Sequence, residues 1–104
     1  MRKVCYTEEF RSQLTELKNY LKVEFDKDVA RAVARDIKEV IDELKSMPNM
    51  GISIGERFGI DTHYLCIYVR QHYICYDYDD RNVYILGMIH EKQKTITMLT
   101  RLLK

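Results

Sequence analysis

The side chains of this chain with chemistry to offer are three histidines, three cysteines and a set of glutamate, basic and phenolic residues. Cleaving RNA through its own 2′-hydroxyl needs a base for that proton, an acid for the leaving 5′-oxygen and cations for charge on the phosphate. Histidine titrates near neutrality and suits both proton transfers. His90, with His72 second, is the candidate catalytic residue if the protein is a nuclease. Arg70, Arg81, Lys92 and Lys94 are the candidate contacts to RNA or to another target. Tyr64, Tyr68, Tyr73, Tyr76, Tyr78 and Tyr84 have faces on which bases stack. The alternation of the segments that carry them assigns most of them to packing within a sheet instead.

Other chemistries have less support. His63, His72 and His90 have no carboxylate at a fixed local spacing that would complete a metal site, and no cofactor is expected. Neither glycine-rich phosphate-binding pattern occurs. Cys5, Cys66 and Cys75 are odd in number, lack a CxxC spacing and lie in apolar segments, so all three are expected to be buried thiols. The formal net charge is +1, but it is unevenly spread. Residues 1–80 hold 12 Lys and Arg against 15 acids, whereas residues 81–104 hold five against Glu91 alone. A protein that grips nucleic acid over a wide face is usually basic throughout; here only the C-terminal end offers a basic edge.

The elements that must position these residues follow from periodicity. Residues 2–6 suit a short strand. Thr7, Glu8 and Glu9 start a helix, with a hydroxyl to cap free amides and acids at the positive end of the dipole. Phe10, Leu14, Leu17, Leu21 and Phe25 form its apolar stripe. Asp26, Lys27 and Asp28 interrupt that stripe, and either Asp can cap a second helix whose apolar face is Val29, Val33, Ile37, Val40, Ile41 and Leu44. Met47, Pro48 and Asn49 stop it. Two readings stand for this region: an αα-hairpin, or one helix bent near Asp26.

Gly51, Gly55 and Gly59 mark a loop or irregular strand over 49–62. The period then changes to two, with strands at 64–69, 72–78 and 83–90, joined by a tight turn at Arg70 and Gln71 and by the turn residues Asp79, Asp80, Arg81 and Asn82. Strict alternation on the last strand sets Val83, Ile85, Gly87 and Ile89 on one side, and Tyr84, Leu86, Met88 and His90 on the other. Residues 92–104 form a short helix facing inward through Ile96, Leu99 and Leu103, or an extended tail. The expected fold is α+β: an N-terminal strand, an α-helical hairpin on one face of a three-stranded antiparallel meander, and a C-terminal appendage, all in a single domain over 1–104. The longest apolar run, 64–69, falls far short of the roughly 20 residues that span a bilayer, and residues 1–9 lack a signal-peptide core. A cytoplasmic protein with no membrane partner is the expectation.

This order, and the stretch 72–90 (HYICYDYDDRNVYILGMIH) in particular, resembles the RelE/ParE superfamily of bacterial toxins over most of residues 2–91. The resemblance implies a toxin made with a cognate antitoxin that neutralises it by binding. RelE-like and YoeB-like members enter the ribosome and cut mRNA, while ParE-like members act on DNA gyrase and have no recognised nuclease site. In the YoeB-like pattern a His ends the last strand, as His90 does here. The basic residue two positions earlier is Met88 in this chain, the Arg that begins the preceding strand falls at or near His72, and the aromatic after the terminal His is Glu91. The lost cations and the weak overall charge favour the ParE-like branch. A ribosome-dependent endoribonuclease and a non-toxic binding module are the alternatives. The antitoxin is expected to lay an amphipathic helix or strand on the apolar groove between hairpin and sheet.

Overall fold

A computed structural model describes residues 1–103. Strand β1 (Lys3–Tyr6) leads into helices α1 (Glu8–Glu24) and α2 (Lys27–Glu43). A short strand β2 (Ile52–Ser53) and one turn of helix, α3 (Ile54–Phe58), precede β3 (Leu65–Val69), β4 (His72–Tyr78) and β5 (Asn82–His90), and α4 (Thr95–Leu102) follows. The expected meander is present, within a five-stranded sheet of order β1-β5-β4-β3-β2. β1 adds to it in parallel, with Lys3 opposite Asn82 and Tyr6 opposite Ile85.

Local chemistry sets the boundaries. The Thr7 hydroxyl accepts the Phe10 N–H at 3.1 Å and donates to the Leu86 carbonyl at 2.9 Å, so one side chain both caps α1 and ties it to β5. Asp26, in extended conformation, accepts the Val29 N–H at 2.8 Å and starts α2 two residues after α1 ends. The region is therefore a hairpin and not a bent helix. Its inner faces, Phe10, Leu14 and Leu21 with Val33, Ile37 and Ile41, bury against Ile74, Tyr76, Val83 and Ile85 of the sheet. Phe25 leaves the stripe: it is the residue at which α1 unwinds, and it is 64 % exposed. The Asp79 carboxylate closes the β4–β5 turn by accepting N–H groups of Arg81 and Asn82, each at 2.8 Å.

Three expectations need correction. Strict alternation fails on β5, because Cys75 pairs with Gly87 and Tyr76 with Ile85, which leaves Leu86 as a bulge. Beyond it the faces exchange. Met88 joins Val83 and Ile85 under the helical hairpin, while Leu86 and Ile89 pack on the opposite face. That face is itself covered, by α3 and α4, in a second core of Ile54, Cys66, Cys75, Ile89 and Leu99. The appendage is thus a helix, but Ile96 is 57 % exposed and Leu102 packs in its stead. Cys66 and Cys75 are buried as expected, but Cys5 is exposed on the edge strand, its thiol 3.6 Å from the Asn82 side-chain oxygen. Lys104, counted in the basic C-terminal edge, lies outside the described residues. Among the described residues no helix is long and apolar enough to cross a membrane.

Candidate functional site

The bulge at Leu86 decides where His90 goes. With the faces exchanged, His90 lies directly across from His72 on the side of the sheet that carries the hairpin. The Glu91 N–H donates to the Gln71 carbonyl at 2.8 Å, just beyond the pair, so His72 and His90 form a non-hydrogen-bonded pair, in which side chains approach most closely. Their rings meet edge to face with centroids 4.9 Å apart.

The two imidazoles are held in complementary forms. Nδ1 of His72 lies 2.7 Å from the Arg70 carbonyl, which only accepts, so Nδ1 carries the hydrogen and Nε2 presents a lone pair. Nδ1 of His90 accepts the Lys92 N–H at 3.0 Å, so in the neutral ring the hydrogen sits on Nε2. Gln93 holds this turn, its side-chain oxygen accepting the His90 N–H at 2.8 Å. His72 is 8 % exposed. Burial holds its pKa below the usual imidazole range and the adjacent His90 adds to the effect, against the opposing pull of the Arg70 carbonyl and Glu91.

This pair floors a groove walled by Leu17, Tyr20, Leu21 and Phe25 of the α1 end, with Arg70 and Lys92 at its rim. Of the four candidate cations, the structure brings these two to the groove. Arg70 is already committed, with Nε and Nη2 each 2.7 Å from Asp36 Oδ2 on α2. Lys94 is exposed at the start of α4, two residues past Lys92. Arg81 lies at the other end of β5, about 26 Å away along the strand. His63 is also elsewhere, 3.3 Å from Asp77 and packed on Tyr64.

Of the six tyrosines, Tyr76 is buried in the core and Tyr73 packs between Tyr68 and Phe58. Tyr68 is about half exposed and donates to Glu91 at 2.6 Å. Two groove features escaped the sequence reading. Asp36 belongs to an ordinary charged helix face and nothing local marks it as the partner of Arg70. Tyr20, 59 % exposed, did carry a signal: a large aromatic one position off the apolar stripe of α1. Two neighbouring imidazoles in opposite tautomers are the minimum for acid–base work, but among the described residues Lys92 is the single uncommitted cation at the rim, which is little for a phosphodiester.

A small sheet with a helical hairpin on one face and short helices on the other defines an α+β class of protein. The family model for the ParE toxin of type II toxin–antitoxin systems (parDE) matches residues 4–95, and the chain belongs to that family. Among solved structures it is similar to the chromosomal ParDE toxin–antitoxin system from P. aeruginosa, with a TM-score of 0.71 and 14 % identity over 86 % of this chain and 96 % of that one. At that identity the likeness speaks for the fold. No curated protein sequence is similar enough to count as a match. The protein is a ParE-like toxin, and its kind is made with a cognate antitoxin.

Proposed function

We propose that this toxin arrests growth in the cytoplasm by gripping a protein target, DNA gyrase being the one its family resemblance implies, and that 1–104 acts as one toxin domain. The observation that carries the reading is the state of the groove cations. Arg70 is neutralised by Asp36, while Tyr20 and Phe25, 59 % and 64 % exposed, offer aromatic anchors of the kind that dominate protein interfaces. The cognate antitoxin neutralises the toxin by laying an amphipathic segment over the same groove.

Expression without antitoxin tests this. Growth should stop, plasmid supercoiling should change while translated mRNA stays intact, and Tyr20→Ala with Phe25→Ala should relieve the arrest. Normal growth at high expression would leave only a binding module. One observation favours the endoribonuclease reading: the His72 ring, with its free lone pair on Nε2, and the neutral His90 ring, with its hydrogen on Nε2, meet edge to face at 4.9 Å between centroids. Fragmented mRNA, abolished by His90→Ala, would establish that reading over the proposed one.

A further inference from the structure

Cys66 and Cys75 are directly opposed on β3 and β4. The turn between those strands has two residues, Arg70 and Gln71, both with positive φ (50° and 64°), the conformation of a type I′ hairpin turn. In such a hairpin the closing pair, Val69 and His72, is hydrogen-bonded, and pairs alternate from there. Tyr68–Tyr73 is therefore non-hydrogen-bonded, Ile67–Ile74 hydrogen-bonded and Cys66–Cys75 non-hydrogen-bonded. The parity agrees with β5, since the Glu91–Gln71 bond makes His72–His90 non-hydrogen-bonded on the other edge of β4. Opposed residues in such pairs have Cα atoms about 4.5 Å apart, inside the range of about 4.4–6.8 Å that a disulfide bridges. Both side chains point to the same buried core, beneath Ile54 and Leu99.

We infer that Cys66 and Cys75 are a built-in redox pair, forming a reversible cross-strand disulfide when hydrogen peroxide oxidises the toxin. One thiolate attacks the peroxide: an S–O bond forms, the O–O bond breaks and water leaves. The second thiol attacks the resulting sulfenic acid, forming the S–S bond, breaking the S–O bond and releasing a second water. Two sulfurs lose two electrons in all, and the peroxide gains two.

Cys66 reacts first. Burial raises its pKa to about 11, with Arg57 opposing, whereas burial takes Cys75 to about 12. It also lies at the thinner cover, because β2 is only two residues long and Ile52, paired with Cys66, is 46 % exposed. High-pKa thiols oxidise slowly, so the bridge forms only under sustained oxidation. The bridge staples the hairpin that carries Arg70 and His72 to the groove.

The Cys5→Ser protein, which removes the exposed thiol, should be treated with hydrogen peroxide, quenched, denatured and alkylated. The expected product is two hydrogens lighter, takes no alkylating reagent, regains two reactive thiols on treatment with dithiothreitol and melts at a higher temperature than the reduced form. Adding Cys75→Ala should abolish it; if that variant does not fold, the mass and alkylation results on Cys5→Ser decide alone. Two alkylated thiols after peroxide exposure that fully oxidises Cys5 in the wild type would overturn the inference. So would sulfinic acid at either position without the bridge.

Discussion

Arg70, at the tip of the β3–β4 hairpin, and Asp36, midway along α2, are joined by two contacts of 2.7 Å from the guanidinium to one carboxylate oxygen. The pair clamps the sheet to the hairpin beside the groove, and it removes one cation from the site. Both side chains are partly exposed, 45 % and 31 %, so water and salt screen the attraction. Arg70→Ala and Asp36→Ala are each expected to lower stability by about 0.5–1 kcal/mol, with a coupling of about the same size in the double variant. Urea denaturation of the four proteins measures it, and additive losses would show that the pair does not act as a clamp.

His72 makes stability depend on pH. Its folded pKa lies below the unfolded value of 6.5, chiefly through burial. Between the two values the unfolded chain binds more protons, so stability is fully present above pH 6.5 and falls as the solution is acidified through the folded pKa. His72→Gln should flatten that part of the stability profile, and NMR titration should place the His72 midpoint below 6.5. The Asp79 carboxyl, held low by the Arg81 N–H, then by the Tyr84 hydroxyl and the Asn82 N–H, contributes in a separate window below its ordinary 3.8.

Tyr76 links β4 to the segment after α2. Its buried hydroxyl donates to the Pro48 carbonyl at 2.8 Å and accepts the Gly51 N–H at 2.9 Å. Tyr76→Phe leaves both groups without that partner and should cost about 1–3 kcal/mol in chemical denaturation. Gly51→Ala should be at least as damaging, since a Cβ there would lie 2.7 Å from the Cys66 carbonyl and collide with the Tyr76 hydroxyl. Burial also lifts the Tyr76 pKa to about 12, so wild-type stability should fall as pH rises from 10 towards 12, a loss absent from Tyr76→Phe.

Gly87 lets α4 settle on β5. A Cβ at this position would stand 2.7 Å from Leu102 Cδ1 and 3.1 Å from the Gln13 side-chain oxygen. Gln13 in turn accepts the Met88 N–H at 2.7 Å. Gly87→Val should displace α4 before it unfolds the protein. Hydrogen exchange should show amides of 95–102 losing protection while those of β4 keep theirs.

Much of the fold was legible because its signals are local. The hydroxyl of Thr7 and the carboxylates of Asp26 and Asp79 meet amides two or three residues away, so caps and turns are written beside the residues they serve. The apolar stripes of α1 and α2 recur at helical spacing and do bury. The β5 faces were misread because period two assumes an unbroken ladder, and only Gly87, an odd residue inside a strand, hinted at the bulge.

By itself, then, the order of residues determined the apolar stripes of α1 and α2, the three strands of the meander and their turns, and that His72 and His90 stand at the ends of neighbouring strands, while it left α3 unmarked and the C-terminal segment open between helix and tail. Only the tertiary structure decided that the two imidazoles share a face, that Arg70 is spent on Asp36, and that α4 closes the second face of the sheet. The reason is range. A cap or a turn is settled by atoms within a few bonds, whereas a bulge that turns side chains over, or an ion pair spanning 34 positions, exists only after distant segments have packed.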